Sequence, residues 1–239
     1  MERYELLTFP SPAELAKAAA GRAVAMLEAR SQERPAFGIA LSGGRIAGAL
    51  FSALAARLTT QLLAKVHFFW ADERCVSPTD PESNFRLANE ILFGPLEVAA
   101  GCIHRVRGEE DPLTAAAVAE AELRSVLGAA PGRPPLLDLV LLGMGADGHT
   151  ASLFPDEPDE LIEDNAVYRP VTARKPPPRR ITMGYGAIIA AREVWVLISG
   201  PGKAAVLRRS LDAPAQTPLG RVINRRRRTL VFVDDTALA

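Results

Sequence analysis

Leu139-Val140-Leu141-Leu142-Gly143-Met144-Gly145-Ala146-Asp147-Gly148-His149-Thr150-Ala151-Ser152 is the stretch from which the fold is read. Its first residues form an uninterrupted apolar run, the pattern of a strand buried on both faces of a parallel sheet. The run stops at three closely spaced glycines, which carry no Cβ and so let the backbone turn tightly and approach a ligand. An aspartate and a histidine follow, one glycine between them. Ligands bind at the carboxyl ends of strands in open α/β sheets, and imidazole is the side chain most easily poised as a base near neutral pH. The chemistry is expected here, with the remainder serving as scaffold or substrate grip.

Working outward, the same strand-then-turn pattern recurs. Phe37-Gly38-Ile39-Ala40-Leu41 reads as a buried strand running into the sharp turn Ser42-Gly43-Gly44-Arg45. Before it, Ser11-Pro12-Ala13-Glu14 opens a helix with a capping box and Pro at the first helical position, and Pro35 ends the linker that follows. A second helix starts near Ile46. Val66–Trp70 is a strand leading to Asp72-Glu73-Arg74, and Ser83 caps a helix over Asn84–Leu92. Cys102–Val106 suggests a short strand, and Asp111-Pro112 caps an Ala-rich helix that stops at Gly128. A Pro/Gly linker, Pro131–Pro135, leads into the opening stretch. Beyond it come a surface loop with a short helix around Pro155 and Pro158, then strands at Val167–Val171 and Ile181–Tyr185. Val194–Ser199 is a strand, Gly202–Leu211 a helix and Thr229–Val233 a last strand. Strands alternating with helices predict an α/β fold, with a doubly wound, mainly parallel sheet flanked by helices, as one domain over 1–239.

The composition excludes several classes of function. Of 239 residues 48% are hydrophobic, enough for a core without disulfide or metal staples. The formal net charge is +0, so no global field draws the chain to nucleic acid or an acidic membrane. Arg225-Arg226-Arg227-Arg228, the one charge run, has no interleaved aromatics and reads as a solvated loop. No apolar run approaches the roughly 18 residues of a membrane span. Two cysteines, Cys75 and Cys102, fit a reduced interior, and Met1-Glu2-Arg3-Tyr4-Glu5 lacks a signal-peptide layout. A cytoplasmic protein without nucleic-acid or membrane partners is expected, with no reading of oligomeric state. His67 and His104 lie inside apparent strands without ligand spacing to His149, so neither metal nor cofactor is expected.

Each site residue also has a structural reading. Gly143-x-Gly145-x-x-Gly148 imitates a dinucleotide fingerprint, but Pro155 stops any long helix and no second strand precedes the acids that follow. His149 alone could be a hydrogen-bonded core imidazole; beside a glycine-rich strand end, it reads as a base exposed in a cleft. Asp147 orients that imidazole, holds a substrate hydroxyl, or stabilises an Asx-type turn. Ser42-Gly43-Gly44-Arg45 is a plain turn or an anion site built on helix N-terminal amides. Asp72 binds substrate hydroxyls or pairs with Arg74. Arg74, Arg180 and Lys203 each read singly as solvated charges, and together as a phosphate grip.

With these segments in view, the chain closely resembles the 6-phosphogluconolactonases of the pentose phosphate pathway over nearly its whole length. The likeness is carried by Leu41-Ser42-Gly43-Gly44, by Trp70-Ala71-Asp72-Glu73-Arg74 with Glu82-Ser83-Asn84, and by Leu142–Pro155; Arg180-Ile181-Thr182 and Gly202-Lys203-Ala204 are weaker matches. The resemblance implies a sugar-phosphate isomerase-like fold and metal-free hydrolysis of 6-phospho-D-glucono-1,5-lactone, a small sugar-phosphate lactone. It puts the catalytic histidine on His149, the phosphate loop on Ser42, Gly43 and Gly44, and the phosphate-binding cations on Arg74, Arg180 and Lys203. One departure stands out: where many members continue Gly-Gly-Ser-Thr-Pro, this chain has Arg45-Ile46-Ala47. Glucosamine-6-phosphate deaminases are the nearest rival, but they place a Glu five residues after the histidine, where Phe154 stands here. A sugar-phosphate sensor without turnover would usually carry a DNA-binding module, for which the chain has no segment.

Overall fold

In the computed structural model, which describes residues 3–30, 36–129 and 132–239, the apolar run becomes the strand Leu139–Gly143 in the middle of a sheet. Pro35 and Pro131, which bound the two expected linkers, lie outside the described residues. In chain order the elements are β1 (Tyr4–Phe9), α1 (Pro12–Arg30), β2 (Phe37–Leu41), α2 (Ala47–Ala55), α3 (Thr60–Leu63), β3 (Val66–Trp70), β4 (Asp72–Arg74), α4 (Asn84–Ala88) and α5 (Pro112–Leu127). They continue with β5 (Leu139–Gly143), α6 (Asp159–Ile162), β6 (Tyr168–Thr172), β7 (Arg179–Met183), α7 (Tyr185–Ala190), β8 (Glu193–Ile198), α8 (Ala204–Asp212), α9 (Pro218–Asn224), β9 (Thr229–Asp234) and α10 (Asp235–Leu238).

Among the described residues the main sheet has six strands in the order β1-β9-β8-β5-β2-β3, every pair parallel. Every residue of β2 and β9 is buried, as are Leu139–Leu142 of β5, because helices cover both faces of a parallel sheet. Parallel strands all end on one side, so the residues after β2, β3, β5 and β8 meet along one edge. A second, antiparallel sheet, β4-β7-β6, continues directly from β3 and stands over that edge.

Local signals behave as their chemistry requires. Ser11 Oγ accepts from Glu14 N at 3.2 Å, Ser83 Oγ from Arg86 N at 3.2 Å and Asp111 Oδ1 from Thr114 N at 3.0 Å, each satisfying a first-turn amide. Gly128 closes α5 in a left-handed conformation, with φ of 66°. The helix after Ser83 is α-helical only to Ala88, and Asn89–Phe93 widens into a π-turn.

Three expectations need correction, and two elements carried none. Cys102–Val106 is not a strand: Ala100–Cys102 is a 3-10 turn, and only Ile103 bridges to Phe68. The strand expected over Ile181–Tyr185 is Arg179–Met183, and Tyr185 instead opens α7. β1 and α9 were not anticipated. Nor is the arginine run uniformly solvated: Arg226 is 8% exposed and donates to the carbonyls of Ile188, Ile189, Ala191 and Arg192, capping the end of α7.

His67 Nδ1 and His104 Nε2 are 2.8 Å apart, and His104 Nδ1 is 2.7 Å from Glu122 Oε1, so this pair ties β3 to α5, away from the sheet edge. Among the described residues no helix is long and apolar enough to cross a membrane.

Candidate active site

The carboxyl edge of the sheet is hollow. Ser42, Gly43, Gly44 and Arg45 line the cavity after β2, Asp72 and Arg74 after β3, Gly143–Gly145 and His149 after β5, Arg180 on β7, and Ser199 and Lys203 after β8. Of the residues expected to form the site, the cavity brings together every one except Asp147, which stands behind His149. Asn84 and Ser199 also line it. Neither was given a site role from sequence, where Asn84 reads as the first residue of a capped helix and as part of the Glu82-Ser83-Asn84 match.

The backbone after β5 folds back on itself: Gly145 N donates to His149 O at 2.9 Å, and Gly148 N to Gly145 O at 3.1 Å. This closes a loop around the imidazole so tightly that a Cβ on Gly145 would lie 2.1 Å from His149 Nδ1 and 2.6 Å from Asp147 Oδ1. Only glycine fits there. Ala151, two residues beyond His149, takes a φ of 48°, an uncommon conformation for a residue with a side chain.

Within that loop, Asp147 Oδ1 is 2.6 Å from His149 Nδ1 and also accepts from the His149 backbone N–H at 3.2 Å. These contacts, led by the imidazole hydrogen bond, hold the Asp147 carboxyl far below the usual carboxylate range despite its partial burial. An ionised Asp147 accepts a hydrogen bond from Nδ1–H, which fixes the tautomer and leaves the Nε2 lone pair as the basic position. The Phe154 ring packs against the imidazole with centroids 5.3 Å apart, and the Arg180 guanidinium lies 6.0 Å from the centre of the same ring.

The cations are arranged from three elements. Arg74 and Arg180 sit directly opposite one another in the β4–β7 ladder, a like-charge pairing that is unfavourable unless other groups offset it. Arg74 is offset by Glu82, whose carbonyl accepts at 2.6 Å and whose carboxylate is 3.6 Å away; it does not pair with Asp72. Arg180 donates to the carbonyls of Pro177 at 2.9 Å and Lys175 at 3.4 Å. Burial, then the Arg74 charge, lower its proton affinity, and Asp72 and Glu82 partly restore it. Lys203 Nζ donates to Met144 O at 2.8 Å; burial, then the charge of Arg45, lower its pKa.

Asp72 accepts from Ser152 Oγ at 2.7 Å and is steadied by Asn84. Its neighbour Glu73 points inward and caps α4, accepting from Asn84 N and Phe85 N at 2.8 Å each; burial pushes its pKa up. Ser42 Oγ is shielded from solvent without a hydrogen-bond partner among the described residues. Such an orphan is the kind of donor that a bound anion satisfies. No group of three or more His, Cys, Asp or Glu among the described residues is placed to hold a metal ion.

Comparison with known proteins finds relatives over nearly the whole chain. Residues 10–232 match the family model described as glucosamine-6-phosphate isomerases/6-phosphogluconolactonase. A 6-phosphogluconolactonase of Mycobacterium tuberculosis is 37% identical over 238 residues, 97% of this chain and 96% of the relative. The solved 6-phosphogluconolactonase of Trypanosoma brucei superposes with a TM-score of 0.85 at 28% identity, covering 97% of this chain and 96% of that one. A monomeric glucosamine-6-phosphate deaminase, 21% identical, has a TM-score of 0.81 over 98% of this chain and 100% of its own, and so shares the fold.

Proposed function

The chain belongs to the glucosamine-6-phosphate isomerase/6-phosphogluconolactonase family, and on that premise we propose that it hydrolyses 6-phospho-D-glucono-1,5-lactone to 6-phospho-D-gluconate in the cytoplasm. The observation that carries the proposal is the 2.6 Å contact between Asp147 and His149 Nδ1 at the wall of a cation-lined cavity. It supplies a base aimed by a carboxylate, next to groups that grip a phosphate.

The chemistry follows from the lactone. Its C1 carbonyl is an electrophile that water attacks once a base removes a proton. Neutral His149 takes that proton at Nε2, the new C–O bond forms at C1, and negative charge gathers on the former carbonyl oxygen. Backbone N–H groups or a neighbouring cation stabilise that oxyanion. Collapse breaks the bond from C1 to the ring oxygen, and the imidazolium returns its proton to the departing oxygen. The net change is one water added across one ester bond. General-base help of this kind is worth about 10²–10⁴-fold.

Far from C1, the phosphate is held by the Ser42, Gly43 and Gly44 turn with Arg74, Arg180 and Lys203, so that binding energy is spent on orientation at C1. Asp72, buried and fixed by Ser152 and Asn84, accepts from a sugar hydroxyl. The deaminase alternative lacks its carboxylate, since Phe154 packs against the imidazole where that family places a Glu.

The direct test follows acid release from freshly prepared 6-phosphogluconolactone, with heat-denatured protein as the blank. The proposal expects a rate well above spontaneous hydrolysis. A rate equal to the blank would refute it.

A further inference from the structure

We infer that Arg45 is a specificity-determining cation of this site, pairing with Lys203 to grip a dianionic phosphate. The inference rests on the lactonase reading of the same cavity. Arg45 directly follows the Ser42–Gly44 turn and lines the cavity, yet its side chain makes no hydrogen bond or ion pair among the described residues. Its position is nonetheless defined. The guanidinium lies along the backbone after β8, where a Cβ on Gly200 would come within 2.8 Å of Arg45 Nη1. Gly200 has a φ of 89°, so the groove that seats Arg45 exists because residue 200 has no side chain.

Lys203 faces the same space. Its one hydrogen-bond partner among the described residues is the uncharged carbonyl of Met144, and the charge of Arg45 opposes its protonation. Asp234 favours the ammonium through space, without an ion-pair contact among the described residues; its Oδ1 caps α10 through Ala237 N and Thr236 Oγ1. Arg74 has Glu82 in contact; among the described residues no carboxylate forms an ion pair with Arg45 or Lys203. Two such cations beside backbone amides repel each other until an anion comes between them. A planar guanidinium and a compact ammonium bind complementary edges of a tetrahedral phosphate. The ligand class is therefore a phosphate monoester in its doubly charged form.

Arg45→Gln keeps length and polarity and removes the charge. With 6-phosphogluconolactone its KM should rise about tenfold or more, the equivalent of one charge-assisted hydrogen bond. Glucono-1,5-lactone, which has no phosphate, should change by less than about twofold, within the scatter of a surface substitution. Arg45→Lys should recover part of the loss, and the calorimetric Kd for inorganic phosphate should weaken in step. A KM and phosphate Kd matching wild type, or equal losses on both lactones, would overturn the assignment. If the wild type turned over neither lactone while Arg45→Gln still weakened phosphate binding, the lactonase reading would fall and the phosphate assignment would stand.

Discussion

Ser152 Oγ donates to Asp72 Oδ2 across 2.7 Å, joining the loop after β5 to the start of β4 over 80 positions of sequence. Both residues are buried, so the lost donor is only poorly replaced by solvent. Ser152→Ala should therefore cost about 1.5–3 kcal/mol, the range for a hydrogen bond to a buried charge. Urea denaturation at neutral pH measures it, and an unchanged midpoint would show that Asp72 does not depend on this donor.

The carboxylate behind His149 makes a separate prediction. Asp147→Asn offers Nδ1 an amide that can donate as well as accept, so the productive tautomer is no longer enforced. The expected result is a fall in kcat of about a hundredfold or more, with KM changed far less, because Asp147 does not line the cavity. Steady-state kinetics separate the two, and an intact kcat would count against the role. The depressed pKa also has a stability consequence. Its contribution is present above the ordinary 3.8 and is lost as pH falls through the lower folded value. Asp147→Asn should therefore flatten only the strongly acid end of a Tm–pH curve.

The histidine pair on β3 acts in a different pH window. Burial, and then the neighbouring His104, lower the pKa of His67 below its ordinary 6.5. The folded state thus prefers neutral His67, and its stability is present above 6.5 and lost as pH falls below it. Calorimetry from about pH 8 down to 5 should show Tm falling through that region, and His67→Gln should flatten the fall. The same slope in the variant would contradict this assignment.

Arg226 should be as important to stability as any apolar core residue. Its guanidinium serves carbonyls at the end of α7 and just beyond it. Arg226→Gln should cost about 2–4 kcal/mol by leaving several buried acceptors unpaired. Lysine should not rescue it, since a point charge cannot reach the same fan of carbonyls. Denaturant midpoints for the two variants decide the matter.

What could be read from sequence follows physical rules. β2, β5 and β8 are continuous apolar runs because both sheet faces are covered, and Gly145 after β5 is required by its closeness to His149. β1 was missed because it is an edge strand with only alternate burial, recruited by β9 from the other end of the chain. α9 had a signal, Thr217 capping and Pro218 at the first position, but seven residues containing a glycine do not build a helical stripe. In the arginine run, nothing local distinguishes Arg226 from its neighbours; the carbonyls that draw it inward lie some 35 residues earlier. Arg45 was legible as a departure, but its seat against Gly200 emerges only when the ends of β2 and β8 are seen together.

One comparison tests the central claim most directly: acid release from fresh 6-phosphogluconolactone by wild type and by His149→Ala, with inorganic phosphate affinity measured on both proteins. The account expects the variant to fall by about 10²–10⁴-fold toward the spontaneous rate while its affinity for phosphate persists. A variant that hydrolyses the lactone at the wild-type rate would contradict it.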